Sequence, residues 1–327
     1  MKNVSSMLKE VLEKTTPARE EMDRINSFLG IFLKKLEREL KESKTNAKIF
    51  VGGSFAKNTI IKKDHYDIDI FIRFDKKYKK ENISNLTEKI LDKISEGKQH
   101  IKIHGSRDYF RITANPDLYV EVIPVIEIKN PKEAENITDL SYSHVKYINK
   151  KLKKNKKISD EIRLAKAFCY ANKCYGAESY INGFSGYSIE LLIYYYGSFL
   201  KFIKAVAKAR ERVIIDIEKH YKNKKQILMD LNSSKLQSPI ILIDPTFKQR
   251  NASAALSKET FEKFKETCRK FLANPNTEAF EIQKKDLEKI KRNAEKKKYE
   301  FILAEVKTDK QEGDIAGSKL FKFYNFL

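Results

Sequence analysis

The run Gly52-Gly53-Ser54-Phe55-Ala56-Lys57-Asn58-Thr59, followed by Asp67-Ile68-Asp69-Ile70-Phe71, decides how the chain is read. Residues 48–51 upstream have the character of a short strand, and Ser54 stands at a helix start, so the two glycines are predicted to form the turn between them. Glycines let the backbone approach a ligand closely, and free N–H groups at a helix start favour phosphate. Residues 67–74 alternate as a strand does. Positions i and i+2 of a strand share a face, so the carboxylates of Asp67 and Asp69 project together while Ile68, Ile70 and Ile72 turn to the core. Such a pair repels itself, and strands are depleted in Asp. A hard divalent cation is the reason the pattern suggests, since Mg²⁺ takes a few carboxylate oxygens together with substrate phosphates. The polar face of a solvated edge strand is the alternative for the pair. The glycine turn favours the cation, because the two features together make a phosphate cradle and a metal site in one small unit. Glu121, a lone charge in the apolar stretch 118–124, is the candidate third carboxylate of a two-metal site. A surface-facing glutamate is its alternative.

Working outward, Thr16 and Pro17 read as the cap and first residue of a helix. Met22, Ile25, Phe28, Leu29, Phe32, Leu33, Leu36 and Leu40 give that helix one apolar face. A helix is predicted over 83–94 and strands over 101–104, 109–113 and 118–123, closed by Pro124 and Asn130-Pro131. Further helices are expected over 158–175, 185–207 and 208–227, the last opposed by its β-branched Val213, Ile214 and Ile215. A buried strand over 239–244 precedes a helix over 258–272, a Lys-rich exposed helix over 281–298 and a strand near 299–306. Residues 321–327 are apolar again. The order is a mixed α/β unit, a helical unit and a mixed C-terminal piece.

Composition excludes several classes. With 327 residues the chain has room for two or three domains at ~100–200 residues each. The apolar run 189–199 is interrupted by Glu190 and Gly197 and falls short of the ~18 residues that span a bilayer. Residues 1–4 lack the apolar stretch of a secretory signal. Three cysteines cannot make a disulfide framework, so a reducing cytoplasm is expected. Against 45 Asp+Glu stand 66 Lys+Arg, a formal net charge of +21. That suits a polyanionic partner, with compositional drift toward lysine as the alternative.

The quoted run resembles the signature of the nucleotidyltransferase (polymerase β-like) superfamily. Three later stretches are similar to the archaeal, class I CCA-adding enzymes, which rebuild the 3′ CCA end of tRNA. They are Glu161-Ile162-Arg163-Leu164-Ala165-Lys166-Ala167-Phe168 leading into Tyr175-Gly176-Ala177-Glu178, then Gly183-Phe184-Ser185-Gly186-Tyr187 with Tyr196-Gly197-Ser198-Phe199, then Asp244-Pro245 followed by Arg250-Asn251-Ala252-Ser253-Ala254. The Gly-Ser and Asp-x-Asp pair is a superfamily mark, whereas the later stretches in that order are more specific. The resemblance covers most of residues 20–275.

It implies an α+β protein. A polymerase β-like head, a mixed sheet with helices, would occupy 1–137, and a helical nucleotide-selecting domain 138–256. A partial α/β body region, incomplete relative to the family, would occupy 257–327. The implied activity is template-independent addition of C, C and A to the tRNA 3′ acceptor end from CTP and ATP, with Mg²⁺ as cofactor and a homodimer as the assembly. Carried over by position, Gly53, Ser54 and the backbone around them hold the triphosphate, with Lys57 where the family usually has Arg. Asp67 and Asp69 bind Mg²⁺, with Glu121 where the family has Asp. His144 matches a nucleotide-contacting histidine, Lys166 and Tyr175 the residues that grip phosphates, and Arg250 the one that reads the base edge.

Two rival readings share the fold: another nucleotidyltransferase, of poly(A) or oligonucleotide second-messenger type, and a catalytically impaired RNA-binding relative. The Asp67, Asp69 and Glu121 set stands against the second, and the stretch 183–199 with Arg250 against the first. Cys169 with Cys174, and His100 with His104, lack partners at zinc-site spacing and read as structural. Tyr194, Tyr195 and Tyr196 read as helix packing, and the Lys-rich stretches 150–157 and 284–298 as solvated faces or phosphate contacts.

Overall fold

The computed structural model describes residues 4–94, 100–105, 107–155, 157–283, 286–308 and 313–326. Parts of the two Lys-rich stretches, at Lys156, Lys284 and Lys285, lie outside them, as do residues 1–3 and Leu327.

Helix α1 (Val4–Thr15) is followed by the long helix α2 (Arg19–Glu42), strand β1 (Ala47–Val51), the single turn α3 (Gly53–Ala56) and strand β2 (Tyr66–Phe74). Helix α4 (Ile83–Ile94) and strands β3 (His100–Ile103), β4 (Tyr109–Asn115) and β5 (Leu118–Ile126) complete a five-stranded mixed sheet in the order β1-β2-β5-β4-β3. Period-2 alternation works as expected. Ile68, Ile70, Ile72, Val120, Val122, Phe110 and Ile112 form one buried face, against Ile25, Leu29 and Leu36 of α2 and Ile90 and Leu91 of α4. The opposite face keeps its polar residues.

The helical unit follows as α5 (Ser141–Lys154), α6 (Lys157–Ala171), α7 (Gly186–Tyr196) and α8 (Phe199–Lys208). Strand β6 (Val213–Asp216), helix α9 (Lys224–Asp230) and strands β7 (Ile240–Asp244) and β8 (Phe247–Asn251) add a three-stranded sheet, β6-β7-β8. Helices α10 (Lys258–Ala273), α11 (Leu287–Lys296) and α12 (Gly313–Phe326) end the chain. The core here is aromatic: Phe168, Phe184, Phe199, Phe202, Phe264 and Phe271 are fully or almost fully buried. Ring pairs such as Phe184 with Phe264 meet at 4.9 Å between centroids, the edge-to-face range that adds to simple burial.

Several expectations are corrected. Thr16 does not cap α2; its N–H bonds to Leu12 O and closes α1. The cap duty falls to Glu21, whose carboxylate accepts the Ala18 N–H at 2.7 Å. The missed helix α1 has Met7, Leu8 and Val11 at helical spacing, and they join the aromatic core rather than the sheet's core. The helix expected over 158–175 stops at Ala171, since Lys173 takes a left-handed φ of 56°. The helix expected over 185–207 is two helices. Gly197 adopts φ 82° and donates its N–H to Ile193 O, and Ser198 caps α8. An added methyl at Gly197 meets nothing within 4 Å, so Gly197→Ala is expected to cost only the backbone conformation, ~1 kcal/mol. A shift in the urea midpoint measures it.

In 208–227 the β-branched residues win, giving β6 parallel to β7. Strand β8 has no counterpart among the predicted elements. The sheet strand β5 runs through Pro124 to Ile126. Proline is tolerated there because the β4–β5 pairing begins at Phe110 opposite Val122, and Pro124 lies past it, opposite Ile72 of β2. Residues 299–306 form no strand; Tyr299, Ile302, Leu303 and Val306 are exposed with no ladder partner among the described residues. No described helix is long and apolar enough to cross a membrane.

Candidate active site

The parallel pairing of β2 with β5 sets Asp69 opposite Glu121 and Asp67 opposite Tyr119. On the other side of β5, β4 sets Arg111 opposite Glu121. One face of the sheet therefore carries Asp67, Asp69, Glu121 and Arg111, and it floors a cleft of about 910 Å³. Gly53, Ser54 and Lys57 enter the same cleft from the turn after β1, and Lys166 and Tyr175 from the helical unit. Eight of the ten residues singled out from the sequence thus meet in one place. His144 and Arg250 do not line it.

Gly53 is required by space and by conformation. Its φ is +61°, and a methyl there would sit 1.7 Å from Asp69 Oδ2. The neighbouring Gly52 N–H donates to Asp69 O at 2.8 Å, so turn and strand are tied where the carboxylate projects. Asp69 is pushed up to about 7 by burial and then by the negative charge of Glu121, with Lys57 opposing and Asp67 adding to the rise. Burial also raises Glu121, opposed by Arg111, whose Nη2 and Nε donate to Oε1 at 2.8 and 3.2 Å. Among the described residues no three His, Cys, Asp or Glu side chains converge closely enough to hold a metal ion. The donor set is nevertheless the right kind: hard carboxylate oxygens crowded on one face of the sheet.

The wall facing this floor is built on one buried carboxylate. Glu190 of α7 accepts from Lys57 Nζ at 2.7 Å, Lys166 Nζ at 2.8 Å and Thr59 Oγ1 at 2.9 Å. Burial alone would raise Glu190, but Lys166 and Lys57 outweigh it and hold it below its ordinary value. Burial draws Lys166 down to about 8 against the pull of Glu190. Arg163 reinforces the seam, donating to Asn58 O at 2.9 Å and to Ile60 O at 3.3 Å.

His144 and Arg250 meet at a second buried carboxylate, Asp244. His144 Nε2 lies 3.0 Å from Asp244 Oδ2, and Arg250 Nη1 donates to the same oxygen at 2.7 Å. Tyr187 OH and the Thr246 N–H donate to Oδ1 at 3.1 and 2.8 Å. Tyr187 also stacks on His144, centroids 4.1 Å apart, and lines the cleft, so it joins the two clusters. Arg250 Nε is buried with no hydrogen-bond partner among the described residues. Burial lowers His144 despite Asp244, and Arg250 brings a permanent positive charge to the same carboxylate.

Burial by itself would raise Asp244, but these donors hold it well below the usual carboxylate range. A depressed carboxylate stabilises fully above its unfolded value and loses that contribution as pH falls through the native one. Asp244→Asn is expected to cost about 3 kcal/mol at pH 7 by stranding Arg250. The gap from the unsubstituted protein should narrow below about pH 4. Urea unfolding at pH 7 and pH 3 checks both, and a gap that widens on acidification contradicts the assignment.

Sequence reasoning passed over Thr59, Arg111, Glu178, Tyr187, Glu190 and Asp244 as site residues. A signal existed for Glu190, the one charge in the apolar run 189–193, because a charge so placed must be paired. Glu178 lines the cleft with Oε2 buried and without a hydrogen-bond partner among the described residues, and nothing in its local sequence announces that.

Residues 160–281 match a family model described as tRNA nucleotidyltransferase, second domain. Residues 1–145 match the second messenger oligonucleotide or dinucleotide synthetase domain. The chain is 37% identical over 276 residues to the CCA-adding enzyme of Nanoarchaeum equitans, covering 84% of this chain and 67% of that one. It is 33% identical over 301 residues to that of Methanocaldococcus jannaschii, covering 89% and 65%, and 30% identical over 275 residues to that of Pyrococcus abyssi, covering 84% and 60%. The chain therefore spans about two thirds of the length of these relatives. In fold it is similar to a cytoplasmic RNA terminal U-transferase, with TM-score 0.66 and 14% identity over 87% of this chain and all of that one. The Cid1 poly(U) polymerase gives TM-score 0.66 at 13% identity, over 86% of this chain and 99% of that one. The structural likeness shows the nucleotidyltransferase fold, and the sequence identity shows that the chain belongs to the CCA-adding enzyme family of tRNA nucleotidyltransferases.

Proposed function

We propose that the chain adds C, C and A in turn to the 3′ end of tRNA, using CTP and ATP and releasing pyrophosphate. The observation that carries this is the pairing of Asp69 with Glu121 beside Asp67, across one cleft from Ser54, Lys57 and Lys166, in a chain of this family. A divalent cation, Mg²⁺ in this proposal, held by Asp67 and Asp69 with Glu121 completing the set, would neutralise charge at the α-phosphate and make the attacking hydroxyl more acidic.

The chain's own groups do the positioning. The open side of Gly53 and the turn at Ser54 admit the triphosphate. Lys57 meets its charge, with Glu190 as the one hydrogen-bond partner of its Nζ among the described residues. Lys166 and Tyr175 form the wall behind it. Arg250, the residue the family resemblance assigns to the base edge, is held by Asp244 outside the cleft lining, and Tyr187, stacked on His144 and bonded to the same carboxylate, is the member of that cluster that would meet the base. The tRNA 3′ hydroxyl attacks the α-phosphorus, the bond to the bridging oxygen breaks, and pyrophosphate leaves. Selection of the base by protein groups removes the need for a nucleic-acid template, and most of the rate comes from alignment and fixed charge.

In this proposal residues 1–137 are the catalytic head, 138–256 the nucleotide-selecting domain and 257–327 part of a body region. The net charge of +21 supports a tRNA partner, met in the cytoplasm. Pairing of two copies is a further part of the reading, to which the exposed Phe321, Phe323 and Phe326 of α12 lend apolar surface. Light scattering tests it.

The deciding experiment incubates the protein and Mg²⁺ with tRNA ending before CCA, after C or after CC, adding each labelled nucleotide alone. Addition of C, C and then A that stops supports the proposal. Runs of A on any RNA would point to a poly(A)-type enzyme. Absence of transfer with intact nucleotide binding would point to an impaired relative.

A further inference from the structure

Glu190 joins two groups of opposite need. Lys57 and Thr59 come from the segment after α3, while Lys166 and Glu190 come from α6 and α7, and all four meet in a buried network. Lys166 has its three N–H donors engaged, on Glu190 Oε1 at 2.8 Å, Thr59 Oγ1 at 2.8 Å and Thr59 O at 3.3 Å. Lys57 faces another choice. Asp69, on the floor, lines the same cleft as Lys57. An ammonium group that swung onto that carboxylate would occupy the place of a cation. Glu190, with no exposed surface, is the group that opposes the swing. Releasing Lys57 from it would leave a buried carboxylate short of one partner, which is costly.

We propose that Glu190 is a positioning residue that sorts the charges of the cleft, holding Lys57 on the phosphate wall with Lys166 so that Asp67 and Asp69 stay open to a divalent cation. The inference rests on reading the cleft as a nucleotidyl-transfer site. It deepens that reading by assigning the second wall a duty toward the first.

The test is calorimetric titration of the nucleotide-free protein with Mn²⁺, which needs no turnover. Glu190→Gln keeps the shape and removes the charge. It is expected to weaken Mn²⁺ binding about tenfold or more, the usual range when a group supporting a metal ligand is lost. Adding Lys57→Gln to Glu190→Gln removes the competing ammonium and should restore affinity to within about threefold of the unsubstituted protein. A purely structural Glu190 would not show this rescue. Unchanged affinity in Glu190→Gln, or a loss that Lys57→Gln does not restore, overturns the proposal. Asp67→Asn separates it from the underlying reading: Mn²⁺ binding that this change leaves intact overturns the cleft assignment itself. Should Glu190→Gln fail to fold, Lys57→Gln alone decides. Affinity within about threefold of the parent is expected, whereas a tightening of about tenfold would show that Lys57 already competes for the carboxylates and would overturn the proposal.

Discussion

Asp67→Ala and Asp69→Ala will each lower nucleotide transfer by a factor of about 10³ or more, the scale on which losing a preorganised charge in an active site is felt. Binding of tRNA should survive. The contrast follows from position. Both carboxylates lie on the polar face of β2, flooring the cleft, and neither contributes to the apolar face that packs on α2 and α4. Stability should be unchanged or improved, because Asp69 is a half-buried carboxylate crowded by Glu121 and Asp67. Removing one of three like charges relieves repulsion that a cation would otherwise offset. Single-nucleotide incorporation, filter binding of tRNA and a thermal melt measure the three quantities on one preparation. Transfer retained in either variant would remove these residues from the site, and a collapsed melt would make them structural instead.

Gly53→Ala is the sharper test, because it changes one methyl group and no charge. The added Cβ would lie 1.7 Å from Asp69 Oδ2 at a residue whose φ is +61°. The left-handed conformation alone costs an alanine about 1–2 kcal/mol. The collision is relieved only by moving the turn away from β2 or the Asp69 carboxylate off its position, and a displacement near 1 Å at a reacting centre is worth about 10² in rate. Transfer should therefore fall about a hundredfold while the melt drops only modestly. The Gly52 N–H to Asp69 O bond is expected to anchor the strand, so the side chain and not the backbone should yield. Activity near that of the parent would mean that Asp69 has room to turn without consequence.

Local patterns accounted for a good part of the molecule. Alternation in 67–74 placed Asp67 and Asp69 on one face because a strand has a period of two whatever lies around it. Helical spacing in 22–40 located the buried stripe of α2 for the same kind of reason. Where neighbouring signals competed, reading along the chain failed. The stretch 208–227 holds helix formers and β-branched residues together, and it became β6 only because β7, more than twenty residues later, offers a parallel partner. Residues 299–306 have a strand's composition but no partner among the described residues, and a lone strand leaves its backbone groups unpaired.

The site divides along the same line. Its chemistry was legible as residue types at short spacing, two glycines and an alternating carboxylate pair, with Lys166 added by the family resemblance. Which of those groups meet was set by contacts far apart in sequence. Glu190 finds Lys57 across 133 positions, and Asp244 finds His144 across 100. Short-range order follows from backbone periodicity, which every segment carries in itself. The pairing of buried charges follows from the cost of leaving any one of them uncompensated, and only the packed chain reveals which partner is within reach.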